Sequence, residues 1–250
     1  NQIAEVSGAA LPPALRWLTL TDNCIQALPE ALGHRPRLQK MILAGNRLRT
    51  LPASIANCQR LELLRLAANQ FDSSADALPA GLLALPRLAW LAHAGNPFSQ
   101  AGAQDAGQRP AAPPIAWSAL QLQGLLGEGA SGVIHAAAWQ PDAGPTQSVA
   151  VKLFKGAMTS DGLPRSEMAA SVAAGAHPNI VAVLGQLAGH PGNAQGLVLR
   201  RIPAGFRNLA APPSLVSCTR DVYAPDTRFG AAQALTIADA MVSAVAHLHR

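Results

Sequence analysis

Several residue classes are scarce in these 250 residues. Aromatic side chains make up 4%, charged ones 13%, and there are three cysteines. Cys24, Cys58 and Cys218 are far apart, odd in number and outside any C-x-x-C spacing. That excludes a disulfide-stapled fold and a cysteine zinc site, and it fits free thiols in a reducing, cytoplasmic compartment. No uninterrupted apolar run reaches roughly 18 residues, so the sequence shows no membrane span. There is no G-x-S-x-G, no H-E-x-x-H, no G-x-x-x-x-G-K-[ST] and no close pair of carboxylates. The esterase, zinc-protease and P-loop classes therefore lack support. Low charge coincides with 49% apolar residues, which excludes disorder of the whole chain. The net charge of +5 is spread along the sequence with no basic cluster, so nucleic acid is not an expected partner. The chain starts at Asn1 with no Met and no signal peptide, and reads as a fragment or a processed form.

What is present, first, is a repeat. Leu15, Leu18, Leu20, Asn23 and Ile25 are followed 23 residues later by Leu38, Met41, Leu43, Asn46 and Leu48. Leu61, Leu64, Leu66, Asn69 and Phe71 come another 23 residues on, and Leu88, Leu91, His93, Asn96 and Phe98 come 27 after that. Asn1-x-Ile3 reads as the tail of an earlier turn. The pattern resembles the leucine-rich repeat family, L-x-x-L-x-L-x-x-N-x-L, over residues 1–99. Alternation on a short strand sends Leu18 and Leu20 inward, and each coil buries its apolar row only against the next. Asn23 and its counterparts are expected to bridge backbone groups of neighbouring coils. The extra residues around Asp72–Ala77 predict a bulge on the convex side. His93 stands where an inward Leu is expected, and reads as a residue of the capping coil. The outward strand positions are Trp17, Thr19, Lys40, Ile42, Leu63, Arg65 and Trp90. Aromatics and cations on one concave face suit a protein partner at Trp17, Lys40, Arg65 and Trp90. A scaffold face with incidental aromatics is the alternative.

Residues 100–116, rich in Gly, Pro and Gln, predict a linker. Beyond it, Leu126-Gly127-Glu128-Gly129-Ala130-Ser131-Gly132-Val133-Ile134 places a glycine turn between two strands. A dinucleotide fold would need a helix directly after the glycines, and the pattern continues as strand instead. Ser148–Phe154 is a buried strand carrying Lys152, which is expensive to bury without a partner unless it snorkels from an edge. Pro164–Ala174 reads as a helix with Glu167, Met168, Ser171 and Val172 inward. His177-Pro178-Asn179 then marks a turn, and Val181–Leu187 and Leu197–Ile202 mark two more strands. A glycine turn, a V-A-V-K strand and a helix with a glutamate resemble the small lobe of the protein kinases.

That resemblance implies ATP and Mg²⁺ as cofactors. It assigns the loop over the phosphates to Gly127, Glu128, Gly129, Ala130, Ser131 and Gly132. It sets Ile134 and Ala150 against the adenine, Lys152 on the α- and β-phosphates, and Glu167 as the ion-pair partner of Lys152. Leu199 becomes the gatekeeper, with Arg200 and Ile202 offering backbone groups to the adenine edge. The amphipathic stretch Ala231–His249 resembles the long helix that precedes the catalytic loop. No H-R-D-L-x-x-x-N, D-F-G or A-P-E occurs, so the catalytic Asp and both magnesium ligands are expected beyond residue 250.

The expected fold class is an α/β leucine-rich-repeat solenoid followed by an α+β protein-kinase-like domain, comprising the small lobe and the start of the large one. The domains are 1–99, a linker at 100–116, and 117–250. The expected function is an ATP-dependent protein kinase, of the serine/threonine type, with a protein-binding repeat domain. The 250 residues alone are expected to be inactive. The alternative is a pseudokinase whose repeats serve as an interaction scaffold.

Overall fold

A computed structural model describes residues 1–73, 77–99, 112–129, 131–156, 158 and 162–249. The chain forms two compact units. The first comprises Asn1–Gln108 together with two later segments, Gly156–Glu167 and Pro213–Arg220. The second comprises Arg109–Lys155, Met168–Pro212 and Asp221–Arg250.

Unit one is a solenoid. Four short strands, β1 (Trp17–Thr19), β2 (Lys40–Ile42), β3 (Leu63–Arg65) and β4 (Trp90–Ala92), form one sheet in sequence order. All three pairings are parallel and in the register of the repeat: Leu18 faces Met41, Met41 faces Leu64, and Leu64 faces Leu91. That central row points inward, and Met41 and Leu64 are fully buried. The core around them includes Ile25, Leu38, Leu43, Leu48, Leu61, Leu66 and Phe71. Short 3-10 turns at Glu30–His34 and Ala53–Asn57 bring the chain back along the other side; each follows a proline, whose fixed φ suits a helix start.

The asparagines hold neighbouring coils together. Asn46 accepts from the Ile25 N–H (3.1 Å) and donates to the Leu20 and Leu43 carbonyls (2.8 and 2.9 Å). Asn69 and Asn96 repeat the pattern one coil on, accepting from Leu48 and Phe71. Asn23 accepts from the Ile3 N–H (3.0 Å), as Asn46 does from Ile25, so Ile3 stands in the place of Ile25 one coil earlier. The residue before each asparagine has positive φ: Asp22 (56°), Gly45 (71°), Ala68 (51°) and Gly95 (79°). The left-handed bend aims the asparagine into the coil. Ala68 bears the steric cost of that bend because its Cβ crowds the following carbonyl. Ala68→Gly is expected to stabilise unit one by about 0.5–1 kcal/mol, the left-handed penalty less the extra chain entropy of glycine. A denaturant melt with a midpoint unchanged or lowered would refute that account.

His93 is exposed on the terminal coil, and its Nδ1 lies 3.0 Å from the Ser99 hydroxyl, as suits a cap. Of the bulge expected around Asp72–Ala77, positions 74–76 lie outside the described residues; Ala77 is buried in the core.

Unit two is built on a six-stranded sheet in the order β5-β9-β10-β8-β7-β6. Its strands are β5 (Pro114–Ala116), β6 (Leu120–Glu128), β7 (Gly132–Trp139), β8 (Gln147–Phe154), β9 (Val183–Ala188) and β10 (Gly196–Arg200). Only β5 pairs in parallel, with β9. The sequence reading put Pro114–Ala116 in the linker. Instead these residues add a strand, because Ile115 is buried in the core of unit two and Gly185 leaves room for the Pro113 carbonyl. Most of the expected linker, 100–111, lies outside the described residues. Val149, Val151, Val198 and Ala137 form the core on one face of the sheet.

Helix α1 (Pro164–Ala173) follows β8 in sequence, and helix α2 (Ala231–Leu248) ends the described chain. Glu167, Met168, Ser171 and Val172 are the half-buried residues of α1's middle, as its spacing predicts, while Ala169, Ala170 and Ala173 are exposed. The turn His177-Pro178-Asn179 binds α2. Asn179 Nδ2 donates to the Ala240 carbonyl (3.2 Å), His177 Nε2 lies 3.1 Å from the Ser243 hydroxyl, and His247 donates to the Ala174 carbonyl (2.7 Å). The packed side of α2 is thus its Ile237, Ala240, Ala244 and His247 side. The apolar stripe Leu235, Met241, Val242, Val245 and Leu248 is exposed. By length and composition α2 is apolar enough to cross a membrane, with a mean hydropathy of 1.3. The sequence reading saw no such segment because Gln233, Thr236, Asp239 and Ser243 interrupt the apolar run.

Candidate functional site

Two surfaces carry chemistry, one in each unit. In unit two the candidate site lies on the sheet face opposite the core. Antiparallel register sets Gly127 against Ile134, Ile134 against Lys152, and Lys152 against Leu197. One step along, Ala136, Ala150 and Leu199 form a parallel row. Side chains directly opposite share a face, and so do residues two apart on a strand. Ile134, Ala150, Lys152 and Leu199 therefore stand together on one surface. Ala150 is buried and the other three are half-buried.

The turn between β6 and β7 is closed by Gly129 donating to the Gly132 carbonyl (2.9 Å), while Lys155 donates its backbone N–H to Ser131 (3.1 Å). A Cβ on Gly132 would stand 2.5 Å from the Leu153 carbonyl, so only glycine lets β7 start beside β8. Gly127 and Gly129 face open space: among the described residues no atom stands within 4 Å of a Cβ built there. An exposed ion pair between Glu128 and Lys155 spans the turn. The Lys155 hydrogen bond and its charge hold the Glu128 carboxyl below the usual carboxylate range. Ala130 lies outside the described residues.

Lys152 Nζ sits 4.8 Å from the centroid of the Phe154 ring, two residues on along the same face. Glu167 stands in the first turn of α1. Arg200 and Ile202 line a shallow apolar pocket with Pro178, Ile180, Val181 and Phe206. The Arg200 N–H is donated to the Ala182 carbonyl (2.9 Å), which removes it from the backbone donors expected at this edge. Among the described residues no group of three His, Cys, Asp or Glu is placed to hold a metal ion.

In unit one the candidate surface is the concave face. Its outward rows are Trp17, Lys40, Leu63 and Trp90, and Thr19, Ile42, Arg65 and Ala92, as alternation predicts. Lys40 Nζ lies 4.2 Å above the Trp17 ring, and the Arg65 guanidinium 5.3 Å from that of Trp90. Such stacking fixes the long cationic side chains against flat partners. Trp90 and Thr19 are exposed, but Ile42 and Leu63 are buried, so the face is not open along its length as expected. Beside the strands runs a line of hydrogen bonds the sequence reading missed. Arg16 Nε donates to Gln39 Oε1 (2.8 Å), and Gln39 Nε2 donates to Glu62 Oε1 (3.1 Å). The only signal was that all three sit just before a strand, at the repeat spacing. Glu62 is a buried carboxylate, 7% exposed.

Comparison with known proteins bears on unit one. The leucine rich repeat family matches residues 13–71, which span β1–β3 and their asparagine turns. No curated protein matches the chain. Among the solved structures, a leucine-rich-repeat protein of Leptospira interrogans is 30% identical over 42% of this chain, with a TM-score of 0.37. The matched part spans 26% of that protein, about a quarter of its length. Residues 13–71 of unit one are thus similar to the leucine rich repeat family, as their strand register and asparagine turns suggest.

Proposed function

We propose that the repeat module binds protein on its concave face and is joined to a protein-kinase-like unit that binds ATP and phosphorylates serine or threonine hydroxyls. The observation that carries the second part is the shared face of Ile134, Ala150, Lys152 and Leu199 beneath an open glycine turn. The order of elements also agrees with the resemblance: two strands about a glycine turn, a lysine strand, a helix with a glutamate, and two further strands in the same sheet.

The residues present suit the nucleotide. Ile134, Ala150 and Leu199 offer an apolar surface for a base, and Gly127 and Gly129 put no side chain in the way of a phosphate approaching the turn. Lys152 supplies a compact cation. Bound Mg²⁺-ATP would supply the transferable phosphoryl group; the 250 residues contain no H-R-D-L-x-x-x-N or D-F-G, so no catalytic Asp or metal ligand is assigned among them. Three free thiols suit a cytoplasmic setting.

Mg²⁺-ATP is expected to raise the melting temperature of the 250-residue chain, because binding to the folded state alone stabilises it. Ala150→Leu should abolish the shift by filling the apolar surface. A wild-type melt indifferent to millimolar ATP would count against the nucleotide reading.

A further inference from the structure

One edge of the concave face already has an occupant. Pro213–Arg220 leaves unit two at Pro212, packs within unit one, and rejoins unit two at Asp221. Its base is pinned by paired hydrogen bonds between Ala211 and Val222 (2.8 and 3.0 Å). At its tip Ser214 and Ser217 cap one tight turn, Ser214 N–H to Ser217 Oγ (2.8 Å) and Ser217 N–H to Ser214 Oγ (3.1 Å).

The contacts with the repeats are specific. Thr219 Oγ1 donates to Glu62 Oε2 at 2.7 Å, satisfying the carboxylate oxygen that Gln39 does not reach. Arg16, at the other end of the same line, donates to the Leu215 carbonyl (3.3 Å). Between them Cys218 is 1% exposed, although Leu215 and Val216 on the same turn are open to solvent. Cys218 also has a φ of 60°, a conformation a non-glycine residue keeps only where its surroundings hold it. Burial, then the nearby Glu62 carboxylate, pushes its thiol pKa up, and the Lys40 and Arg16 charges oppose the shift.

We propose that the loop Pro213–Arg220 is an internal ligand that covers the Arg16–Glu62 edge of the concave face of the repeats, and that a protein partner gains this edge by displacing it. The partner segment has the chemistry the loop displays: a hydroxyl for Glu62, a main-chain carbonyl for Arg16, and a small side chain between them. A tethered ligand acts at an effective concentration on the order of millimolar, so a partner must bind well beyond the loop's own affinity. Transfer of the γ-phosphoryl group of a nucleoside triphosphate to Thr219 Oγ1 by a kinase, with the diphosphate leaving and the hydroxyl proton released, would set two anions together and open this edge. The inference rests on the reading of the concave face as a protein-binding surface.

The experiment reads release of the loop itself, so it can fail while capture of a partner by the repeats stands. The full 250-residue chain is treated with iodoacetamide, and each cysteine is followed by peptide mass spectrometry. Cys218 of the native chain should react at least about tenfold more slowly than in urea, since its exposure requires local opening. Thr219→Glu should bring the rate close to the unfolded value, and Thr219→Val should raise it severalfold. Cys58, buried in the repeat core with its pKa pushed up to about 11, should stay protected in both variants. A fluorescent peptide of residues 213–220 should bind the Thr219→Glu chain and not the wild type. Three results overturn the proposal. Cys218 in the native chain reacts as fast as in urea; or Thr219→Glu leaves its rate unchanged; or Cys58 becomes reactive with Cys218 in both variants, which makes the loop an inseparable part of the repeat core.

Discussion

Asn69→Ala is expected to destabilise the repeat module by about 3 kcal/mol. Asn69 is 6% exposed, accepts from the Leu48 N–H and donates to the Leu43 and Leu66 carbonyls. After substitution the two carbonyls keep other donors, Asn46 for Leu43 and Asn96 for Leu66. The Leu48 N–H keeps no such substitute. A buried donor left without a partner costs roughly 1–3 kcal/mol, and the lost hydrogen bonds and the small void add to it. For a module of about a hundred residues, each kcal/mol shifts the melting temperature by roughly 4–8 °C, so a fall of at least about 12 °C is expected. Asn57→Ala, at an exposed asparagine of the 3-10 turn Ala53–Asn57, should stay within about 0.5 kcal/mol of wild type. Circular dichroism melts of the two variants, side by side, decide it. Equal melting temperatures would mean the asparagines do not hold the coils together.

The second large effect concerns Lys152. On the proposed kinase reading, Lys152→Ala should reduce autophosphorylation with Mg²⁺-ATP, in whatever form of the protein carries that activity, on the order of a hundredfold or more, by analogy with removing one preorganised charge-stabilising donor. Positioning and charge stabilisation carry most of phosphoryl transfer, and Lys152 is the cation on the face shared with Ile134, Ala150 and Leu199. Lys152→Arg should fail too, because a planar fork directs its donors differently from a compact ammonium. The side chain is half-buried, so both variants are melted alongside wild type to confirm that the sheet survives. Undiminished phosphoryl transfer by a folded Lys152→Ala protein would end the small-lobe reading.

The repeats were legible because their contacts are periodic. The inward apolar residues and the asparagines meet their counterparts one coil away, as Leu64 meets Met41 and Leu91, so the sequence writes the same constraint several times in phase. Strand alternation was equally readable: it put Ala150 and Lys152 on one face and Trp17 and Thr19 on another. What alternation cannot supply is which residue on the next strand stands opposite, and the row through Gly127, Ile134, Lys152 and Leu197 came only with the sheet register. Pro114–Ala116 was misread because a short strand that opens with proline has a linker's composition. The occupant of the concave face left no trace at all. Thr219 and Glu62 meet once, without repetition, and a glutamate before a strand in a polar column looks like an ordinary surface acid until its two oxygens are seen to be satisfied. The small residues at Gly45, Ala67 and Gly95 carried a similar hidden instruction. Met158, Gly162 and Leu163 pack against them, and a Cβ on Gly162 would come within 2.8 Å of the Ala67 methyl.

The Thr219–Glu62 bond joins residues 157 apart in sequence, whereas the Gln39–Glu62 bond beside it joins residues 23 apart. While the intervening chain is unstructured, closing the longer loop costs about 1.7 kcal/mol more than closing the shorter one. The coils can therefore zip together one after another as the polypeptide leaves the ribosome, but the seal over their concave side waits until residue 219 has been made. During that interval a newborn chain presents a finished repeat sheet with Glu62 half satisfied and Trp17 uncovered. Any protein that engages the repeats during synthesis meets no competitor, while one that arrives afterwards meets a surface already taken. The same sequence of amino acids thus offers two different affinities, set by when in the life of the molecule the encounter happens.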